Sequence, residues 1–197
     1  MVLWKEASMT DTVSRMPSCA THNYDPDGAF LSNICNLPLL QAEAVLQRIR
    51  RSGLRKIRSN YLEKRHRTEE WLISGRRKLL GRTRLERPIY FFLGDFADGE
   101  DPSRPCSLVV PLSAFPIDTI TFTYPDSMTS FSSRSGENSQ YPFGEVLTYE
   151  KIVSIVNDRG LPGERARHPL AHYELYIEMQ AWDDRPIHAF LSLKGSG

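Results

Sequence analysis

The order of its hydrophobic periodicities constrains this chain most. Apolar residues recur at helical spacing first, then at strand spacing, and each pattern returns once more near the end. Leu39, Ala42, Val45, Leu46 and Ile49 lie three or four apart and predict a helix starting near Pro38, with Asn36 as N-cap and Gly53 as C-cap. Tyr61, Leu62, Trp71, Leu72, Leu79 and Leu80 supply apolar faces to a second helical stretch over 58–80. It reads as one helix, or as two if Thr68 opens a new one; Gly81 ends it. After Pro88 the pattern changes. The run Ile89-Tyr-Phe-Phe-Leu93 suits a buried strand, and 107–110 and 119–124 read as two more. Residues 144–147 form a weak strand or a lead into the next helix. Thr148 caps that helix through 157, with Ile152, Ile155 and Val156 inward and Gly160 and Pro162 closing it. A last strand covers 172–182. Helices, strands, helix, strand is the order of an α+β fold with basic N-terminal helices followed by an antiparallel or mixed sheet, not of a doubly wound one.

A chain of 197 residues is long enough for one core. Residues 31–190 therefore read as a single α+β domain. Residues 1–30 read as a flexible N-terminal arm, because Pro17, the turn cluster over 23–28 and the lack of periodicity oppose regular structure. Residues 127–141, with five serines from Ser130 to Ser139, read as a loop. No apolar run approaches the ~20 residues of a membrane span, and no secretory pattern opens the chain. Three widely spaced cysteines, Cys19, Cys35 and Cys106, do not make a disulfide framework. A cytoplasmic location without membrane contact is the expectation.

Charge is unevenly divided. Residues 47–87 carry 15 Lys and Arg against 4 Asp and Glu, although the whole chain has a formal net charge of only +1. Arg55, Lys56, Arg58, Lys64, Arg65 and Arg67 are interleaved with Tyr61, His66 and Trp71. Cations attract phosphates and aromatic rings stack on bases, so the segment is a candidate surface for nucleic acid or for an acidic protein. A solvated helix face matched to the acidic remainder is the plainer reading.

The last strand offers the best candidate chemistry. Tyr173, Leu175, Ile177, Met179 and Ala181 alternate onto one face; Glu174, Tyr176, Glu178, Gln180 and Trp182 share the other. A carboxylate and an amide two residues apart converge on one ligand there, framed by aromatic rings. A polar strand side facing water is the competing explanation. Asp126, Ser127 and Thr129, at a strand end, form a second candidate, against a plain turn begun by Pro125. There is no Walker or Rossmann glycine spacing and no zinc signature, and no metal site is expected.

The helix "AEAVLQRIRRSGL", the strand within "RPIYFFLGDF" and a late strand bearing a glutamate make the chain similar in layout to the ADP-ribosyltransferase fold, and most similar to its nucleic-acid-modifying toxin branch, over about residues 31–182. The resemblance implies NAD as a substrate, held in a cleft between helices and sheet. It implies an early polar residue contacting NAD, for which Asn33 in "LSNIC" is the match. It implies Tyr90 or Phe91 stacking on nicotinamide. It also implies a late glutamate that stabilises the ribosyl cation: Glu178 in "YIEMQ", with Gln180 beside it and Glu145 in "FGEVL" as rival. The basic helices would hold a nucleic-acid acceptor. Two other classes stand beside this one. A non-catalytic binding module would use the basic segment alone. A metal-dependent nuclease would use Asp126 and Glu178 on a divalent cation.

Overall fold

Alternating apolar positions bury the strands, and five of them assemble into one antiparallel sheet. The computed structural model describes residues 15–28, 30–96, 103–132, 144–162 and 176–195. In chain order the elements are β1 (Cys19–Tyr24), α1 (Leu39–Ser52), α2 (Tyr61–Leu79), β2 (Ile89–Leu93), β3 (Cys106–Pro111), β4 (Ile120–Thr123), α3 (Ser127–Ser132), α4 (Tyr149–Arg159), β5 (Glu178–Ala181) and α5 (Arg185–Lys194). The sheet order is β3-β1-β2-β5-β4, with every neighbouring pair antiparallel. The architecture is therefore mixed α+β. No helix among the described residues is long and apolar enough to cross a membrane.

The two faces of the sheet bury different chemistry. Phe91, Met179, Ala181 and Phe122 face the main core, where Ile152 and Val156 of α4 and Ile187 of α5 close over them. Tyr90, Thr121, Thr123, Glu178, Gln180 and Trp182 occupy the opposite face, fixed by the pairs Tyr90↔Gln180, Thr121↔Gln180 and Thr123↔Glu178. Helix α2 lies across this second face. Leu72 and Ile73 pack on Trp182, and Gly75 lets the helix approach so closely that a Cβ there would stand 2.4 Å from a Val146 methyl. Helix α1 packs Ala42 and Leu46 against Leu62 of α2.

Several expectations change. Residues 19–24, read as part of a flexible arm, form β1 in the interior of the sheet; residues 1–14 lie outside the described residues. The stretch over 58–80 is one helix, because Thr68 turns its hydroxyl back onto the Lys64 carbonyl at 2.9 Å instead of capping a new start. The N-cap of α1 is Pro38, and Asn36 ends a short 3-10 turn. Gly53 and Thr148 cap as expected. Ser127–Ser132, expected in a loop, is a short helix, and residues 133–143 lie outside the described residues. The final strand begins at Glu178, with 163–175 likewise outside.

Candidate functional site

A cleft opens where two strands part. β1 pairs with β3 along its length, from Cys19↔Pro111 to Tyr24↔Cys106, but with β2 only at Ala20↔Leu93 and Thr21↔Phe92. Past Thr21 no ladder joins β1 to β2. A cavity of about 310 Å³ fills the gap and runs to the start of β5. His22 and Tyr24 of β1 line it, as do Tyr90 of β2, Asp126, and Tyr176 and Glu178 at the β5 entrance. Four arginines, Arg48, Arg55, Arg65 and Arg104, also face it.

Glu178 is the buried acid of the cleft, only 6% exposed. Burial pushes its carboxyl up from 4.5 to about 7. Arg65 opposes the rise, Asp126 adds to it, and hydrogen bonds from Ser127 and Gln180 oppose it. The polar strand side is thus not solvated, because α2 covers it. Gln180 is fully buried and absent from the cleft wall. Its amide nitrogen reaches Glu178 Oε1 at 3.2 Å and Thr123 Oγ1 at 3.2 Å, and its oxygen accepts from Thr121 Oγ1 at 2.9 Å. It supports Glu178 rather than meeting a ligand.

Arg65 departs from its neighbours in sequence. It points inward, its guanidinium 3.9 Å from the Tyr90 ring centre, with Nη2 3.5 Å from Glu69 and Nη1 donating to Ser127 Oγ at 3.3 Å. Burial disfavours its charge, but Tyr90, Glu178 and Glu69 outweigh that and raise its pKa further. It is a buried counter-charge, not part of a nucleic-acid surface. Arg55, Lys56 and Arg58 stand exposed in the connection over 53–60, and Lys64 and Arg67 on the outer side of α2. Five of the six candidate cations thus share the exterior around the helices, and Arg55 also reaches the cleft.

Other expected contacts shift. Asn33 lies at the cleft wall, but its side chain is spent inside the fold. It donates to Glu69 Oε1 at 2.9 Å and to the Pro88 carbonyl at 3.1 Å, and it accepts from Cys35 N at 2.9 Å. Tyr90 has its ring covered by Arg65 and its hydroxyl bound to Glu69. Phe91 belongs to the main core, 1% exposed, its ring 5.4 Å from Phe115. Both residues nonetheless belong to the lining of the cavity. Tyr176 is at the wall, edge-on to Phe92 at 4.3 Å. Glu145 is exposed and off the cleft.

The residue the sequence reading missed is His22. Its Nδ1 lies 2.8 Å from the Tyr90 carbonyl, which only accepts, so Nδ1 carries the hydrogen. Burial lowers its pKa; the carbonyl bond opposes this and Arg104 adds to it. The ring is therefore neutral near pH 7, with Nε2 an acceptor. Tyr24 stacks near-parallel to it at 6.1 Å, and Phe30 meets Tyr24 edge-on at 4.7 Å. The available signal was the short run Cys-Ala-Thr-His-Asn-Tyr before a turn cluster. Among the described residues no three His, Cys, Asp or Glu side chains converge as a metal site. Comparison with protein-family models, with curated proteins and with solved structures gave no match.

Proposed function

We propose that this chain is an ADP-ribosyltransferase that takes NAD as substrate and modifies a macromolecular acceptor, best fitted by nucleic acid. The observation that carries the reading is that His22, from one end of the chain, and Glu178, from the other, both line one arginine-lined cleft. In the ADP-ribosyltransferase layout an early polar residue contacts NAD and a late glutamate faces the ribosyl centre. His22 takes the early role here in place of Asn33.

The chemistry follows from the groups present. Arg48, Arg55 and Arg104 offer positive charge for a pyrophosphate. His22 Nε2 accepts from a ribose hydroxyl, and Tyr24 and Tyr176 provide aromatic walls. The bond from ribose C1′ to nicotinamide breaks with its electron pair leaving on nicotinamide. The Glu178 carboxylate stabilises the positive charge that develops at C1′. The acceptor's nucleophile bonds to C1′, and its proton passes to Glu178 and on to water. Arg55, Lys56, Arg58, Lys64 and Arg67 would hold acceptor phosphates outside the cleft.

Binding of NAD to the purified protein, followed by calorimetry, tests the reading. His22→Ala should weaken it at least tenfold, about 1.4 kcal/mol, measured at a temperature where the variant is still folded. NAD binding that ignores His22, or no binding, would overturn the assignment.

The exposed cations favour one further reading, a nucleic-acid-binding module without catalysis. Here too Lys64→Gln and Arg67→Gln should each flatten the plot of log affinity against log salt for single-stranded nucleic acid by about 0.7. Filter-binding between 50 and 200 mM salt would measure it, and an unchanged slope would remove both residues from the contact surface.

A further inference from the structure

Below Glu178 runs a line of buried hydrogen bonds whose direction is fixed at its source. Trp182 Nε1 has a hydrogen and no acceptor capacity. It donates to Thr121 Oγ1 at 2.8 Å. The Thr121 hydroxyl, having accepted there, gives its own hydrogen to Gln180 Oε1 at 2.9 Å. The carboxamide is thereby oriented, its NH2 toward Glu178 Oε1 at 3.2 Å and Thr123 Oγ1 at 3.2 Å, and the Glu178 backbone carbonyl, accepting from the same NH2 at 3.3 Å, favours the same orientation. Rotated by half a turn, the amide would set its oxygen against the carboxylate and leave the Thr121 hydroxyl facing an NH2.

A second line reaches the same carboxylate. The Arg65 guanidinium, also donor-only, donates to Ser127 Oγ, and the Ser127 hydroxyl donates to Glu178. Both lines therefore end with Glu178 accepting. All intermediates are buried: Thr121, Gln180, Trp182 and Ser127 are each 0% exposed. In such surroundings an amide held one way round keeps a carboxylate in one rotamer, with the cleft as its open side.

We propose that Thr121 and Trp182 are positioning residues: through Gln180 they hold Glu178 as an oriented, hydrogen-bond-accepting carboxylate at the cleft wall. This deepens the reading of Glu178 as the acting acid and rests on it for its functional meaning. Neither residue touches the cleft, so each acts through Gln180 alone. The groups besides Gln180 that set the ionisation of Glu178 are Arg65 of α2 and Asp126 and Ser127 at α3; Tyr90 of β2 and Tyr176 before β5 are raised by burial and further by its charge, and His22 and Arg104 stand elsewhere on the cleft wall. None of them changes in the variants below.

The test reads the carboxyl directly in the protein alone. Carbon-13 NMR follows the Glu178 carboxyl signal through a pH titration, assigned by its loss in Glu178→Gln. Thr121→Val removes the hydroxyl and keeps the shape, so the amide oxygen loses its donor and only the NH2 contacts still orient the group. The Glu178 midpoint should rise, on the order of one pH unit, and Thr121→Ser should restore it. If the valine variant does not fold, Trp182→Phe carries the test, since it removes the donor at the source; its midpoint should rise as well. A midpoint unmoved in a folded Thr121→Val or Trp182→Phe protein, or moved equally by Thr121→Ser, would overturn the proposal. Because no NAD is present, that failure is distinct from failure of the transferase reading.

Discussion

Glu178→Gln is expected to silence transfer and, above pH 7, to stabilise the fold. The carboxyl titrates near 4.5 in the unfolded chain and about 7 in the folded one, so the folded state holds its proton more tightly. The group's contribution to stability is fully present below pH 4.5 and is lost as pH rises through 7. The loss is about 3 kcal/mol. Glutamine has the same shape, stays neutral and never suffers it. Wild type and variant should therefore match in denaturant melts near pH 4.5 and separate progressively to pH 8, with the variant the more stable. His22, whose depressed pKa acts in the opposite sense at lower pH, is present in both chains and cancels. Transfer should fall by about 10²- to 10³-fold, as when a charge-stabilising group is removed from a transition state. A variant that tracks wild type at all pH values would show that Glu178 titrates like an exposed acid.

Arg65→Met is expected to produce the largest loss of stability of any single charge removal on α2. Arg65 compensates two buried acids, Glu69 and Glu178, and stacks on Tyr90. Removing it strands both. Breaking a buried pair from one side costs about 3–5 kcal/mol, about 10 °C in Tm for a chain of this size. Lys64→Met and Arg67→Met, on exposed positions beside it, should stay within about 0.5 kcal/mol of wild type. Glu69→Gln in the Arg65→Met background should recover part of the loss, which a double-mutant cycle would measure. Equal melts for all three methionine variants would contradict the buried role.

The contrast between Arg65 and its neighbours shows what the sequence conceals. In a basic run every cation looks alike, and only the placement of Glu69, Tyr90 and Ser127 around position 65 draws one of them inward. The strands with long alternation or apolar runs, β2, β4 and β5, were legible, as was the grouping of Glu178, Gln180 and Trp182 on one face. That this face is buried was not legible, since it depends on α2 crossing the sheet. β1 was hidden for a different reason: six residues between Pro17 and a turn cluster carry little periodicity, and non-local pairing with β3 and β2 makes them a strand. His22 was hidden with it, and the early polar position was matched instead to Asn33 within "LSNIC".

The most direct measurement is mass-spectrometric detection of nicotinamide release and of ADP-ribose attached to an acceptor. Purified protein and Glu178→Gln would each be incubated with NAD and a mixed pool of DNA, RNA and protein. The account predicts nicotinamide release with ADP-ribose on nucleic acid for the wild type, and neither for the variant. NAD left intact by the wild type against every pool, or consumed equally by the variant, would contradict it.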